Sequence, residues 1–288
     1  MKITGKEIII FDNGSLRPDS IIAFRRFAHK LSQYVEEPIH SAGLLHSHKV
    51  SSDQLNGISA WKLEDLIRNI LKNNSESTEF VLLPFFIGES RAISEYLPKV
   101  LTEIKKDYST TSFRLAYPLS GQDPLNPDIR IAKIFQHSVS NLITEEKKVF
   151  RSIGISIVDH GTPAIEVNHI RNALRAQLNF LLNEGQSLSY IVEAYSMERR
   201  EGDEYAFNEP LLEKIHKGKA IQCDFSILAP LFLLPGRHAG DGGDVEEILL
   251  QSLKKKLPQT PLLHNSVTTL EILKDRLTGC LHSPFLQI

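Results

Sequence analysis

The 288-residue sequence predicts an α/β protein of two tandem domains, each a mostly parallel sheet flanked by helices. Three observations carry this. Apolar runs bounded by turn residues alternate with stretches of helical periodicity, the signature of strand-helix-strand units. The apolar runs are continuous rather than alternating, which suits strands buried on both faces of a parallel sheet. The pattern also occurs twice. EIIIFDNGS (7–15) is echoed by SIGISIVDHGT (152–162), with Asn13 and His160 147 residues apart. FVLLPFFIGESR (80–91) is echoed by FSILAPLFLLPGRH (225–238), with Pro84 and Pro230 146 apart and Phe86 matched to Phe232. Two separate matches at nearly one offset identify a duplicated unit.

The elements follow in order. The strand ending at Asp12 leads through a turn into a helix whose apolar residues fall at Ile21, Phe24, Ala28, Leu31 and Val35. Pro18 sits near its start, where a missing N–H costs little. Further strands are expected at 39–45, 80–87 and 113–117. ITEEKKVF (143–150) carries a charge cluster that ends a helix, and the boundary is placed there, giving domains 1–146 and 147–288. The second half repeats the scheme. A strand ends at Asp159, Pro163 precedes a helix with Val167, Ile170, Leu174, Leu178 and Leu181, and strands are expected at 190–195, 225–234 and around 261–263. The segment 196–209, SMERREGDEYAFNE, reads as an irregular polar insertion.

Composition narrows the function. Hydrophobic residues make up 41% and charged residues 24%, a globular balance. Lys and Arg number 33 against 35 Asp and Glu, so no global basic field draws nucleic acid. Two cysteines, Cys223 and Cys280, are too few for a disulfide framework or a Cys-rich zinc site. With 11 histidines, imidazole and carboxylate are the metal ligands to look for. The apolar core of MKITGKEIIIFD is too short for a signal peptide. The longest apolar stretch, 225–236, is interrupted by Pro230 and Pro235 and falls short of the roughly 20 residues that span a bilayer. A cytoplasmic protein with no membrane partner is expected.

In open α/β sheets, ligands bind beyond the carboxyl ends of the strands. In the second half those ends carry Asp159-His160-Gly161-Thr162 and, further on, Gly236-Arg237-His238, with Glu198 after the strand between. Two imidazoles and a carboxylate on one edge suit a divalent transition metal. The first half has Asn13 in place of His160, and Glu89-Ser90-Arg91 where His238 would fall. Asparagine is a poor ligand and no base near neutral pH. The first half is therefore expected to keep the sheet without the chemistry. AGDGGD (239–244) lacks the spacing of a phosphate-binding loop, and His46 and His48 read as a solvated loop.

These residues carry a resemblance. VDHGTP (158–163), ERREGDEYAFNEPLLE (198–213) and LAPLFLLPGRHAGDGGDVEEIL (228–249) resemble the sirohydrochlorin cobaltochelatase/ferrochelatase family, the CbiX/SirB-like class II chelatases. FDNGSLRP (11–18) and FVLLPFFIGESRA (80–92) extend the likeness to a two-repeat form, departing at both histidine positions. The resemblance implies two chelatase-like domains and insertion of Co²⁺ or Fe²⁺ into sirohydrochlorin, in cobalamin or siroheme biosynthesis. The metal would be a substrate, with no organic cofactor. His160 and His238 match the family's catalytic histidines, and with Glu198 they would hold the metal. Arg91, Arg199, Gly236 and Arg237 are expected on the polycarboxylated substrate, since arginine grips carboxylates bidentately. Arg91 corresponds to Arg237 at the 146-residue offset; its competing use is a helical pair with Glu95. A monomer with an internal pseudo-dimer is implied. The alternative is a non-catalytic metal carrier or tetrapyrrole-binding protein.

Overall fold

The apolar run that opens each half forms the central strand of a sheet. The computed structural model describes residues 6–73, 78–185 and 188–288; residues 1–5, the start of the segment read for targeting, lie outside these. In chain order the elements are β1 (Lys6–Asp12), α1 (Pro18–Val35), β2 (Ile39–Gly43), α2 (Leu63–Asn73), β3 (Glu79–Pro84), α3 (Leu97–Asp107) and β4 (Ser112–Leu115). There follow α4 (Ile129–Glu145), β5 (Ser152–Asp159), α5 (Ile165–Asn183), β6 (Ser189–Ser196), β7 (Phe225–Pro230), α6 (Asp244–Leu253), α7 (Val267–His282) and β8 (Leu286–Gln287). The chain divides into unit 1, Met1–Gln122 with Leu270–Ile288, and unit 2, Asp123–Thr269.

Unit 1 holds a five-stranded sheet, β2-β1-β3-β4-β8, parallel except for β8. Ile8 to Phe11 are all buried, because both faces of β1 are covered. Ile9, Phe11, Phe80, Leu82, Leu97 and Leu101 belong to one core cluster. α1 buries Ile21, Phe24, Phe27, Ala28 and Leu31, as its spacing predicts.

Unit 2 holds a three-stranded parallel sheet, β6-β5-β7. The buried residues of α5 include Ile170, Leu174, Leu178 and Leu182. In both units the first strand lies between the second and third, so its carboxyl end is a topological switch point. The likeness extends to single bonds. Asp12 pairs with Gly43 as Asp159 pairs with Ser196. Beyond the strands, Leu44 N donates to Asp12 O (2.8 Å) and Leu45 N to Asn13 O (3.1 Å). Met197 N donates to Asp159 O (2.8 Å) and Glu198 N to His160 O (3.2 Å) in the same way. Gly14 and Gly161 have φ of +87° and +91°, and a Cβ on either would run into the carbonyl oxygen of Leu45 or Glu198. Glycine is required at both turns.

Three expectations need correction. The strand around 261–263 is absent; Leu228 makes an isolated bridge to Gln259, and residues Leu263–Asn265 form a 3₁₀ turn. Pro258 and Pro261 bracket the bridge and remove ladder donors. The strand read as 225–234 stops at Pro230. The units also depart from the halves 1–146 and 147–288. α4 belongs to unit 2, where Gln136 Nε2 donates to Leu181 O (2.8 Å) on α5. Residues 270–288 belong to unit 1, where Arg276 donates to Pro118 O (3.0 Å) and Leu119 O (2.8 Å), and β8 pairs with β4. No helix among the described residues is long and apolar enough to cross a membrane.

Candidate active site

The turn after β5 is fixed from beneath by a buried charge network. Asp159 is 7% exposed and accepts from Gly161 N (3.2 Å). Arg171, on the apolar face of α5 and 1% exposed, lies 3.8 Å from Asp159 Oδ1. Its Nη1 donates to Ser196 Oγ (2.6 Å) at the end of β6 and to Asn208 O (3.2 Å). Asn208 in turn accepts from Thr162 N (3.0 Å) and donates to Thr162 O (2.9 Å). The segment read as an insertion is thus tied to the turn that presents His160. Burial raises the Asp159 carboxyl above the usual carboxylate range, opposed by Arg171 and the Ser196 hydroxyl. Burial likewise lowers Arg171 from its ordinary value.

Above this network two imidazoles meet. The rings of His160 and His238 lie edge to face, their centroids 4.5 Å apart and their planes at 69°. His160 Nδ1 lies 3.0 Å from Gly161 O, and a carbonyl can only accept, so that nitrogen carries the proton. His238 Nδ1 lies 2.7 Å from Asp244 Oδ2, which assigns the same tautomer. In its neutral form each ring then offers its Nε2 lone pair. His160 Nε2 is 3.4 Å from Glu198 Oε1. A lone pair and a carboxylate oxygen at that distance repel unless a proton or a cation lies between them. The site is open: His160 is 46% exposed and Glu198 61%.

His160, Glu198 and His238 are therefore brought to one place, with Arg237 beside them. Arg237 is 73% exposed and has its Nε 3.3 Å from the Asp244 oxygen that holds His238. Among the described residues no three His, Cys, Asp or Glu side chains are arranged to hold a metal ion by themselves. The expected donor trio is not a preformed cage. Arg199 pairs with Glu209 (3.2 Å) and donates to Gly202 O (3.0 Å). The Gly236 N–H is taken by Ala239 O (2.8 Å). Arg91, in unit 1, reaches Glu95 (3.6 Å), the helical pairing that competed with a substrate role. At the equivalent turn of unit 1, Asn13 replaces His160 and Leu45 replaces Glu198. His46 and His48 are exposed.

Two features escaped the sequence reading. Asp244 lies in the Gly-rich stretch, but its aim at His238 depends on how the loop folds back. Arg171 did leave a signal, a charge beside Ile170 and Leu174 on the apolar face of a helix, where a charge must have a partner.

The fold is similar to that of SirB from Bacillus subtilis with Fe3+, at a TM-score of 0.66 and 11% identity over 98% of this chain and 96% of that one. It is also similar to the sirohydrochlorin chelatase SirB from Bacillus subtilis subspecies spizizenii in complex with cobalt, at 0.65 and 11% over 99% and 97%. No family model matches the sequence, and no curated protein matches it. At this identity the likeness establishes a shared α/β fold.

Proposed function

We propose that this chain is a metal chelatase, inserting Co²⁺ or Fe²⁺ into sirohydrochlorin or a related tetrapyrrole, with the chemistry in unit 2. The observation that carries the reading is the meeting of His160 and His238, each with its Nδ1 hydrogen bonded so that Nε2 is left to act, that of His160 facing Glu198. The fold it shares with SirB structures that hold iron and cobalt supports the same reading.

The chemistry follows from the donors. Two pyrrole N–H protons leave the macrocycle as the metal enters, so acceptors are needed near neutral pH, and imidazole titrates there. The metal must also be given up, which favours a few nitrogen and oxygen donors over a closed thiolate site. His160 and His238 hold the metal through Nε2, and as the metal passes to the macrocycle the same two lone pairs take up the two pyrrole protons. Glu198 adds the negative charge that attracts a dication, and Asp244 orients His238. The exposed guanidinium of Arg237 is suited to a substrate carboxylate. The metal is a substrate, no organic cofactor takes part, and the setting is the cytoplasm.

Anaerobic incubation with sirohydrochlorin and either metal, followed by absorbance, tests this. His160→Ala and His238→Ala should each slow insertion by about 100-fold or more, the scale of a lost acid–base group. Near-normal turnover in either variant at matched thermal stability would remove the assignment. In unit 1 the fold persists with Asn13 and Leu45 in place of the donors, which favours as second reading a non-catalytic metal carrier or tetrapyrrole-binding protein. That reading predicts binding with no insertion above the uncatalysed rate.

A further inference from the structure

Unit 1 keeps the carboxylate that unit 2 buries, but not the cation that answers it. Asp12 stands where Asp159 stands, at the end of the central strand, and accepts from Gly14 N (2.9 Å) as Asp159 accepts from Gly161 N. α1 and α5 begin 147 residues apart, as the turns do, so Phe24 corresponds to Arg171. The strand registers make Gly43 the counterpart of Ser196. The ion pair and hydroxyl of unit 2 are thus replaced by a carboxylate, a phenyl ring and a glycine. Among the described residues, no Lys, Arg or His pairs with Asp12.

A cavity of about 280 Å³ lies there, and Asp12, Phe24 and Gly43 all line it. In unit 2 the counterparts of these three form the Arg171 network. Ile58 and Trp61, both exposed, also line the cavity and give it an apolar rim. Two basic residues share the wall, and each is engaged elsewhere. Arg25 donates to the carbonyls of Leu55 (3.2 Å), Ile58 (3.0 Å) and Ser59 (3.4 Å), and His40 Nε2 is 3.1 Å from Glu7. Burial without a compensating cation pushes the Asp12 carboxyl up to about 7.

We propose that this cavity binds a small organic cation, an amidinium or guanidinium on a flat apolar body, with its head on Asp12 in the position that the Arg171 guanidinium fills in unit 2. The planar fork of such a head matches a carboxylate in two parallel hydrogen bonds. The body would lie against Phe24, Ile58 and Trp61, where apolar area leaves water.

Trp61 is the chain's single tryptophan, so its fluorescence reports on this cavity alone. The full chain is titrated with benzamidine and with its neutral isostere benzamide. Benzamidine should change the emission saturably, and benzamide should bind about tenfold more weakly or worse, the scale of a charge-assisted contact. Asp12→Asn should weaken benzamidine by a similar factor. Phe24→Arg should abolish binding, because its guanidinium takes the place of the ligand's head on Asp12. Equal binding of benzamide and benzamidine, full affinity in Asp12→Asn, or no saturable signal by fluorescence and calorimetry would each overturn the proposal. Should Phe24→Arg fail to fold, Asp12→Asn with the two probes decides alone.

Discussion

Replacing Arg171 by methionine keeps much of the side-chain length and removes the charge. The bonds to Ser196 Oγ and the Asn208 carbonyl go with it, and Asp159 is left buried with the Gly161 N–H as its remaining backbone donor. Breaking a buried pair from one side costs about 3–5 kcal/mol, because the surviving charge stays uncompensated. The lost hydrogen bonds, which include those Arg171 also donates to Asn172 Oδ1, are worth roughly 1 kcal/mol each and fall inside that figure, since residues of one network do not add. Against a domain stability of about 5–15 kcal/mol, unit 2 would become marginal. Asp159 has one escape, which is to take up a proton. Burial already raises its carboxyl, and without Arg171 it rises further. A carboxyl raised in the folded state destabilises as pH climbs from its unfolded to its folded value. The variant's deficit should therefore be larger at pH 8 than at pH 5. Urea unfolding followed by circular dichroism at both pH values measures this, and the double variant Asp159→Asn/Arg171→Met should recover part of the loss. A deficit below about 1 kcal/mol at pH 8, or a double variant no better than the single, would refute the account of the network.

Other outcomes follow from the same geometry. Gly161→Ala forces a Cβ onto the Glu198 carbonyl at a φ of +91°, so a loss of roughly 2 kcal/mol or more and slower insertion are expected, read by melting temperature and absorbance. Asp244→Asn leaves His238 Nδ1 with a weaker acceptor and should lower metal affinity by about 10- to 100-fold with little change in stability, measured by metal titration. For Asp12, the folded state binds the proton more tightly than the unfolded chain between about pH 4 and about pH 7. Its contribution to stability should fall across that window and level off above it, and Asp12→Asn should flatten that part of the urea-midpoint profile.

The central strands and the helices after them were legible because their signals are local. IIIF and ISIV are buried on both faces, and the spacing of Ile21, Phe24, Ala28 and Leu31 needs no partner to be read. The pairing of His160 with His238 was legible for another reason: a repeat fixes which strand ends are equivalent, and a switch point gathers them. What stayed hidden depends on partners far along the chain. β8 is two residues, Leu286 and Gln287, whose extended form comes from β4. The helix ending near residue 145 was legible from the charges that close it, but the neighbour it packs on was not. Asp244 reaches His238 only because Gly240 and Gly242, at φ of +116° and +68°, turn the loop back.

The discontinuity of unit 1 bears on how the chain is made. Its sheet takes a strand from residues 286–287, and the helix that Arg276 docks under Pro118 and Leu119 is likewise completed after unit 2 is translated. At about 5–20 residues per second, the 147 residues of unit 2 separate the two parts of unit 1 by roughly 7–30 s of synthesis. Over that interval Leu115 waits on the ribosome with its outer edge unpaired, while unit 2 emerges as one uninterrupted stretch and is free to fold. The unit that carries His160 and His238 is therefore complete before unit 1. A chain stopped short of residue 270 should yield a sound unit 2 attached to a unit 1 with an open sheet edge, the kind of edge that recruits other chains.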